Sequence, residues 1–153
     1  MKYSQSHSND VPISLLLVAD PCEKSIHSYL DSSWCFVAKN NNEIVAACVV
    51  KPMSTNMVEL FNISVSEDFQ QLGIGTKLLH YSLEQLKSKG VRRVELGTGT
   101  FGHQLSYYQR AGFRVDAVAK DHFLLNYPEP IFENGIQHKD MLRLYIDLNS
   151  LNG

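Results

Sequence analysis

Metal-binding and disulfide patterns are scarce in this chain. Its three cysteines, Cys22, Cys35 and Cys48, are odd in number, and no Cys-x-x-Cys or His-x-x-x-His spacing accompanies them. The six histidines are scattered, none within a His-Glu-x-x-His pattern, so no metal centre is expected. Buried thiols in a reducing compartment are the expectation instead. Charge of one sign is also lacking: 14 Lys plus Arg stand against 16 Asp plus Glu, a net −2, with no basic block. That removes the electrostatic footprint of a nucleic-acid binder. No apolar run approaches the roughly 20 residues of a membrane span, and the opening MKYSQSHSND is polar. A soluble cytoplasmic protein with neither nucleic acid nor membrane as partner is expected. There is no internal repeat, linker or low-complexity tract, and 153 residues suit one domain, 1–153, that buries a core without staples.

The chain that is there alternates two periods. Val11 to Val18 is a short apolar run that reads as a first strand, and Asp20-Pro21-Cys22-Glu23 then offers a cap, a first-turn proline and a carboxylate for a helix ending near Asp31. Trp34 to Lys39 and Ile44 to Met53 read as a hairpin about Asn40-Asn41-Asn42, and Met57 to Val65 as a further strand. From Gly75 the apolar positions Leu78, Leu79, Leu83 and Leu86 recur with helical spacing until Gly90. Val91 to Leu96 is the next strand, Gly102 to Ala111 a second helix, Phe113 to Ala119 a strand, and Asp140 to Leu148 the last strand. The β-α-β-α-β order implies some parallel pairing. Asp121 to Lys139, with Pro128, Pro130, Asn134 and Gly135, reads as a long surface excursion.

The densest information lies where a strand runs into Gln70-Gln71-Leu72-Gly73-Ile74-Gly75-Thr76 and a helix begins. Several amides at the positive end of a helix dipole are left there without internal partners, and glycine leaves room for a close anion. A P-loop is set aside because Gly75-Thr76-Lys77 has the wrong order. A dinucleotide site is a competitor, since Gly97-Thr98-Gly99-Thr100-Phe101-Gly102 matches Gly-x-Gly-x-x-Gly between strand and helix. It comes late in the chain, and Asp116 or Asp121 would have to serve the ribose.

Gln70-x-x-Gly73-x-Gly75 resembles the Gln/Arg-x-x-Gly-x-Gly/Ala signature of the GNAT superfamily of acyl-CoA-dependent N-acyltransferases, and Tyr108-x-x-x-Gly112-Phe113 resembles its second familiar segment, in the family's order. The stretch from Tyr127 to Gln137 looks like that of a bacterial subgroup of the same family. The resemblance implies an α/β fold of α+β type, a mixed and mostly antiparallel central sheet of six to seven strands with helices on both faces. It implies acetyl-CoA as cofactor and transfer of its acetyl group to a primary amine of a small molecule or protein by direct attack. It also allows a homodimer through the last strands, with Tyr145 and Leu148 as candidates. A CoA-binding regulator without catalysis is the rival from another class.

Carried over residue by residue, the pyrophosphate falls to Gln70, Gln71, Leu72, Gly73, Ile74, Gly75 and Thr76. The pantetheine arm falls to Ile63, Ser64 and Val65, beside a bulge that splays two strands. Those positions also suit an ordinary core strand. A lysine-like amine of pKa about 10.4 is neutral about once in 2,500 at pH 7, roughly 4.6 kcal/mol of barrier, so a group must take its proton. Glu59 stands where several members carry a catalytic glutamate, with an outward strand glutamate as the plain alternative. Tyr108 is the candidate acid for the departing thiolate, with a core aromatic beside Phe113 as its alternative; neighbouring Tyr107 is expected to pack. The asparagine many members carry after this strand is replaced by Thr98, Thr100 and Phe101, leaving Thr100 for the arm. Glu129 and Glu133 read as loop surface, with contact to a cationic acceptor as the alternative.

Overall fold

The computed structural model describes residues 1–149. The sheet is built around the hairpin of β2 (Trp34–Asn40) and β3 (Glu43–Pro52), whose apolar residues are not alternating but continuous. Each face of these strands is covered, which is why both read as unbroken hydrophobic runs. Phe36, Ala38, Ala46, Cys48 and Val50 point into one core, under α3 (Ile74–Ser88) and α4 (His103–Arg110). Cys35, Val37, Ala47 and Val49 point into a second, under α1 (Ile13–Leu16) and α2 (Glu23–Leu30).

β1 (Lys2–Ser6), β4 (Met57–Val65), β5 (Arg93–Gly99), β6 (Arg114–Ala119) and β9 (Met141–Asp147) complete a seven-stranded sheet in the order β1-β2-β3-β4-β5-β9-β6. Every neighbouring pair is antiparallel except β4 with β5. This is the mixed, mostly antiparallel α/β sheet with helices on both faces that the sequence suggests. No helix of the described residues is long and apolar enough to cross a membrane.

Three expectations need correction. The first strand is not Val11 to Val18 but the polar opening, where Lys2 to Ser6 pairs with Lys39 to Cys35 as an edge strand. Its half-exposed side chains carry no apolar alternation, so only main-chain pairing marks it. Val11, Leu15 and Leu16 instead bury one side of a helical turn that starts after Pro12, a residue with no N–H to give a ladder. The segment from Asp121 to Lys139 is not a plain surface excursion. It holds α5 (His122–Asn126) and a hairpin of β7 (Phe132–Glu133) and β8 (Ile136–Gln137), and it brings His138 into the interior. Leu148 is fully buried in the chain's own core and is not presented to a second copy, whereas Tyr145 is partly exposed, with the Arg93 guanidinium 4.2 Å from its ring.

The returning segment is seated by glycines. A Cβ at Gly97 would stand 2.2 Å from Met141 Sδ, one at Gly99 2.3 Å from the His138 ring, and one at Gly102 2.4 Å from the Glu133 carboxylate. His138 cannot swing away cheaply, since its ring stacks on Phe101 at 4.1 Å and its Nε2 is 2.9 Å from Glu133. Gly99→Ala is therefore expected to cost about 1–3 kcal/mol of stability by overpacking, read by denaturant unfolding. An unchanged midpoint would show that the segment shifts freely.

Candidate active site

β4 and β5 pair at only three positions, Met57 with Arg93, Val58 with Val94 and Glu59 with Glu95, and then part. A bulge coincides with the parting: Leu60 opposes Val50 and Asn62 opposes Val49, leaving Phe61 as the extra residue. It reverses the inside–outside parity of the strand. Leu60, Ile63 and Val65 belong to the α3 side, while Phe61 stacks on Tyr29 on the α2 side, ring centroids 4.8 Å apart. The residues after Glu59 thus have β3 on one side and an open edge on the other.

Below that edge sits the glycine loop. The Gln70 side-chain amide donates to the Val65 carbonyl at 3.0 Å, folding the loop back on its strand. Gln71 and Gly73 both adopt left-handed backbone, φ +63° and +82°, and the first helical bond runs from Lys77 N to Gly73 O. Among the described residues, no acceptor takes the amides of residues 71–76. These donors face the need of an anion. Tyr107, expected only to pack, donates its hydroxyl to the Gly75 carbonyl at 2.8 Å and ties α4 to the loop.

Two cavities meet here. The smaller, about 700 Å3, is lined by Ile63, Ser64, Val65, Gln70, Gln71, Gly73, Ile74, Gly75 and Thr76. Leu72 is 65% exposed and lines neither cavity, so any part it plays is through its amide. The larger, about 820 Å3, lies between the sheet, the α1–α2 connection and the returning segment. Ala19, Ile63, His103, Gln104 and Tyr108 line both. Tyr108 is 5% exposed and packs edge-on to Phe113 at 5.7 Å; burial raises its pKa well above the usual phenol.

The catalytic and arm-binding candidates are placed unevenly. Glu59 lines the larger cavity but is held by Arg143, whose Nη1 and Nη2 donate to its two oxygens at 2.9 and 2.7 Å. That hydrogen-bonded pair raises the Arg143 pKa. Thr100 is exposed and lines neither cavity. Thr98 is buried on the wall of the larger one, with a hydroxyl that finds no partner. Pleating explains the exchange: Thr98 shares the inward face of Val94 and Leu96. Glu133 is not loop surface, since His138 donates to it and lowers its pKa.

Sequence reasoning missed Arg143, His138 and His122, all on the wall of the larger cavity. Burial and the nearby Arg143 charge hold the His122 pKa below the usual value. Residues 12–113 match the family model of the Acetyltransferase (GNAT) family. The uncharacterized N-acetyltransferase YvbK of Bacillus subtilis is 42% identical over 142 residues, covering 92% of each chain.

The chain belongs to the GNAT acetyltransferase family.

A GNAT family acetyltransferase from Elizabethkingia anophelis, solved with acetyl-CoA bound, superposes with a TM-score of 0.89 at 39% identity, over 95% of this chain and 97% of that one. A Bacillus subtilis acetyltransferase in complex with CoA gives 0.86 at 40% identity, over 95% and 97%. This GNAT N-acetyltransferase has no dinucleotide site at Gly97–Gly102, because Met141, His138 and Glu133 fill the space those glycines leave. Arg143→Met should cost about 3 kcal/mol, as it strands a mostly buried Glu59 carboxylate. Adding Glu59→Leu should recover part of that loss in urea unfolding. A double variant no more stable than the single one would place the cost in the arginine's packing.

Proposed function

We propose that residues 70–76 grip the diphosphate of acetyl-CoA, that the open edge of β4 at Ile63, Ser64 and Val65 pairs with its pantetheine arm, and that Tyr108 protonates the departing sulfur. The observation that carries this reading is the row of amides at 71–76 without acceptors, standing at the start of a 15-residue helix. The open edge of β4 supports the second part, since an arm with two amides supplies the partners that β5 withholds. When bound, acetyl-CoA supplies an acetyl group on a thioester.

The chain's own part is positioning and proton traffic. Tyr108 lines both cavities and stays protonated, so at neutral pH its Oη is a donor and not a base. The Thr98 hydroxyl, rather than that of Thr100, is free to meet the arm or the acyl group. Glu59 keeps a second lone pair on each oxygen beyond those given to Arg143, and in this reading a water held there takes the proton of the reacting ammonium; after attack, the surplus proton on nitrogen replaces the one Tyr108 gives to sulfur. Burial pushes the thiols of Cys35 to about 11 and Cys48 to about 12, so neither of these two core residues is a nucleophile. Unpaired thiols also fit a cytoplasmic setting. The acceptor, a primary amine of a small molecule or protein, enters through the larger cavity.

Titration calorimetry should show heat on adding CoA and none on adding NAD, and a silent CoA titration would end this reading. Tyr108→Phe should lower kcat about 100-fold while CoA affinity stays within about twofold. Because burial raises the Tyr108 pKa above 10, kcat should show no loss from phenol ionisation up to pH 10. An alkaline limb below that pH which vanishes in Tyr108→Phe would contradict the assignment.

A further inference from the structure

Three carboxylates line the larger cavity, and two of them have a basic side chain of this chain within 4.0 Å. Arg143 grips Glu59 with both Nη atoms. His138 donates to Glu133 at 2.9 Å, and His103 stands 3.7 Å from its other oxygen. Asp20 is different. It is 7% exposed, yet no Lys, Arg or His nitrogen of the described residues lies within 4.0 Å of it. Lys24 lines the same cavity and forms no ion pair among the described residues.

The groups Asp20 does meet are neutral donors. Tyr29 Oη donates to Oδ2 at 3.0 Å, while the Cys22 amide at 3.1 Å and Tyr127 Oη at 3.5 Å donate to Oδ1. Asn62 in turn donates to Tyr29 Oη at 3.0 Å, fixing the arrangement to β4. Starting the α2 helix needs one acceptor, which an asparagine would supply without a charge. A buried carboxylate without a cation carries a desolvation cost that neutral hydrogen bonds only partly offset. Two aromatic rings meet it by their hydroxyl edges: Tyr29, itself stacked on Phe61, and Tyr127, 5.8 Å from Phe123. A buried carboxylate with no cation of its own beside it is a setting that favours a cationic ligand.

We propose that Asp20 is the anchor for a second, permanently charged nitrogen of the acceptor, so that the substrate is an aliphatic diamine or a guanidino-amine and not a simple monoamine. The reacting nitrogen is a poor occupant of this place, because a neighbouring carboxylate stabilises an ammonium and opposes the loss of proton that attack requires. A nitrogen that stays charged has no such conflict. Asp20 follows Ala19, which lines both cavities, so a cation held there leaves the far amine free to reach the junction where Tyr108 stands.

This inference rests on the acyl-CoA reading above and is tested without turnover. The protein is saturated with CoA and titrated by calorimetry with 1,3-diaminopropane to 1,6-diaminohexane, agmatine, butylamine and 4-aminobutan-1-ol. At least one dication should bind about tenfold or more tightly than both monocations, a difference of about 1.4 kcal/mol. Asp20→Asn, which retains an acceptor for Tyr29 or Cys22, should bring all probes to within about threefold while CoA affinity is kept. Wild-type protein that takes CoA but shows no dication preference overturns the inference alone, whereas protein that takes no CoA overturns the reading beneath it. A preference that survives in Asp20→Asn also overturns it. Should that variant not fold, the wild-type comparison still decides.

Discussion

A parallel pair of strands that stops after three residues is the constraint on which this protein is built. β4 and β5 run together from Met57 to Glu59 and then part, so main-chain groups in the middle of a seven-stranded sheet are left on an open edge. An internal edge of that kind is a liability unless something pairs with it. The bulge at Phe61 makes the opening possible, since it turns the strand and reverses which side chains face which core. Asn62 and Ser64 consequently point toward the α1–α2 side, where Asn62 donates to the Leu16 carbonyl and accepts from Ser64. The open edge is stiffened from behind by these buried hydrogen bonds.

The polar interior follows from that geometry. A chain of contacts runs from Ser64 through Asn62, Tyr29 and Asp20 to Tyr127, crossing from the sheet to the returning segment. Such a network is stabilising only when its members are satisfied, and its aromatic hydroxyls are held protonated by burial. Around the cavity, Arg143 matches Glu59 and His138 donates to Glu133, while the hydroxyl of Thr98 has no partner among the described residues. The same wall therefore combines rigid, satisfied groups with a few left open.

Much of this was legible in the sequence, and the division is physical. Hairpin, long helix and glycine loop were readable because each is encoded by neighbours in the chain: apolar runs about an Asn-rich turn, helical spacing, or closely spaced glycines. The loop's candidates Gln70 to Thr76 line one cavity with the exception of Leu72, whose side chain points away. The larger cavity was not readable, since its contacts join residues far apart. Arg143 reaches Glu59 across 84 positions and Tyr127 reaches Asp20 across 107. β1 escaped because a polar edge strand is marked only by main-chain pairing. The Gly-x-Gly-x-x-Gly run stood as a competitor for a related reason: its glycines make room for protein side chains, and a local pattern does not say what fills the space.

The bond from Tyr107 to the Gly75 carbonyl ties together two pieces that the chain separates by 32 positions. If α4 were to lift from the start of α3, a half-buried phenol and a carbonyl oxygen would both lose their partner at once. The first turn of α3 and the body of α4 are thereby bound into one cooperative unit, whose amides should exchange with solvent water in concert. Such a union keeps the glycine loop and the tyrosine beside it in register through thermal fluctuation, before any ligand arrives.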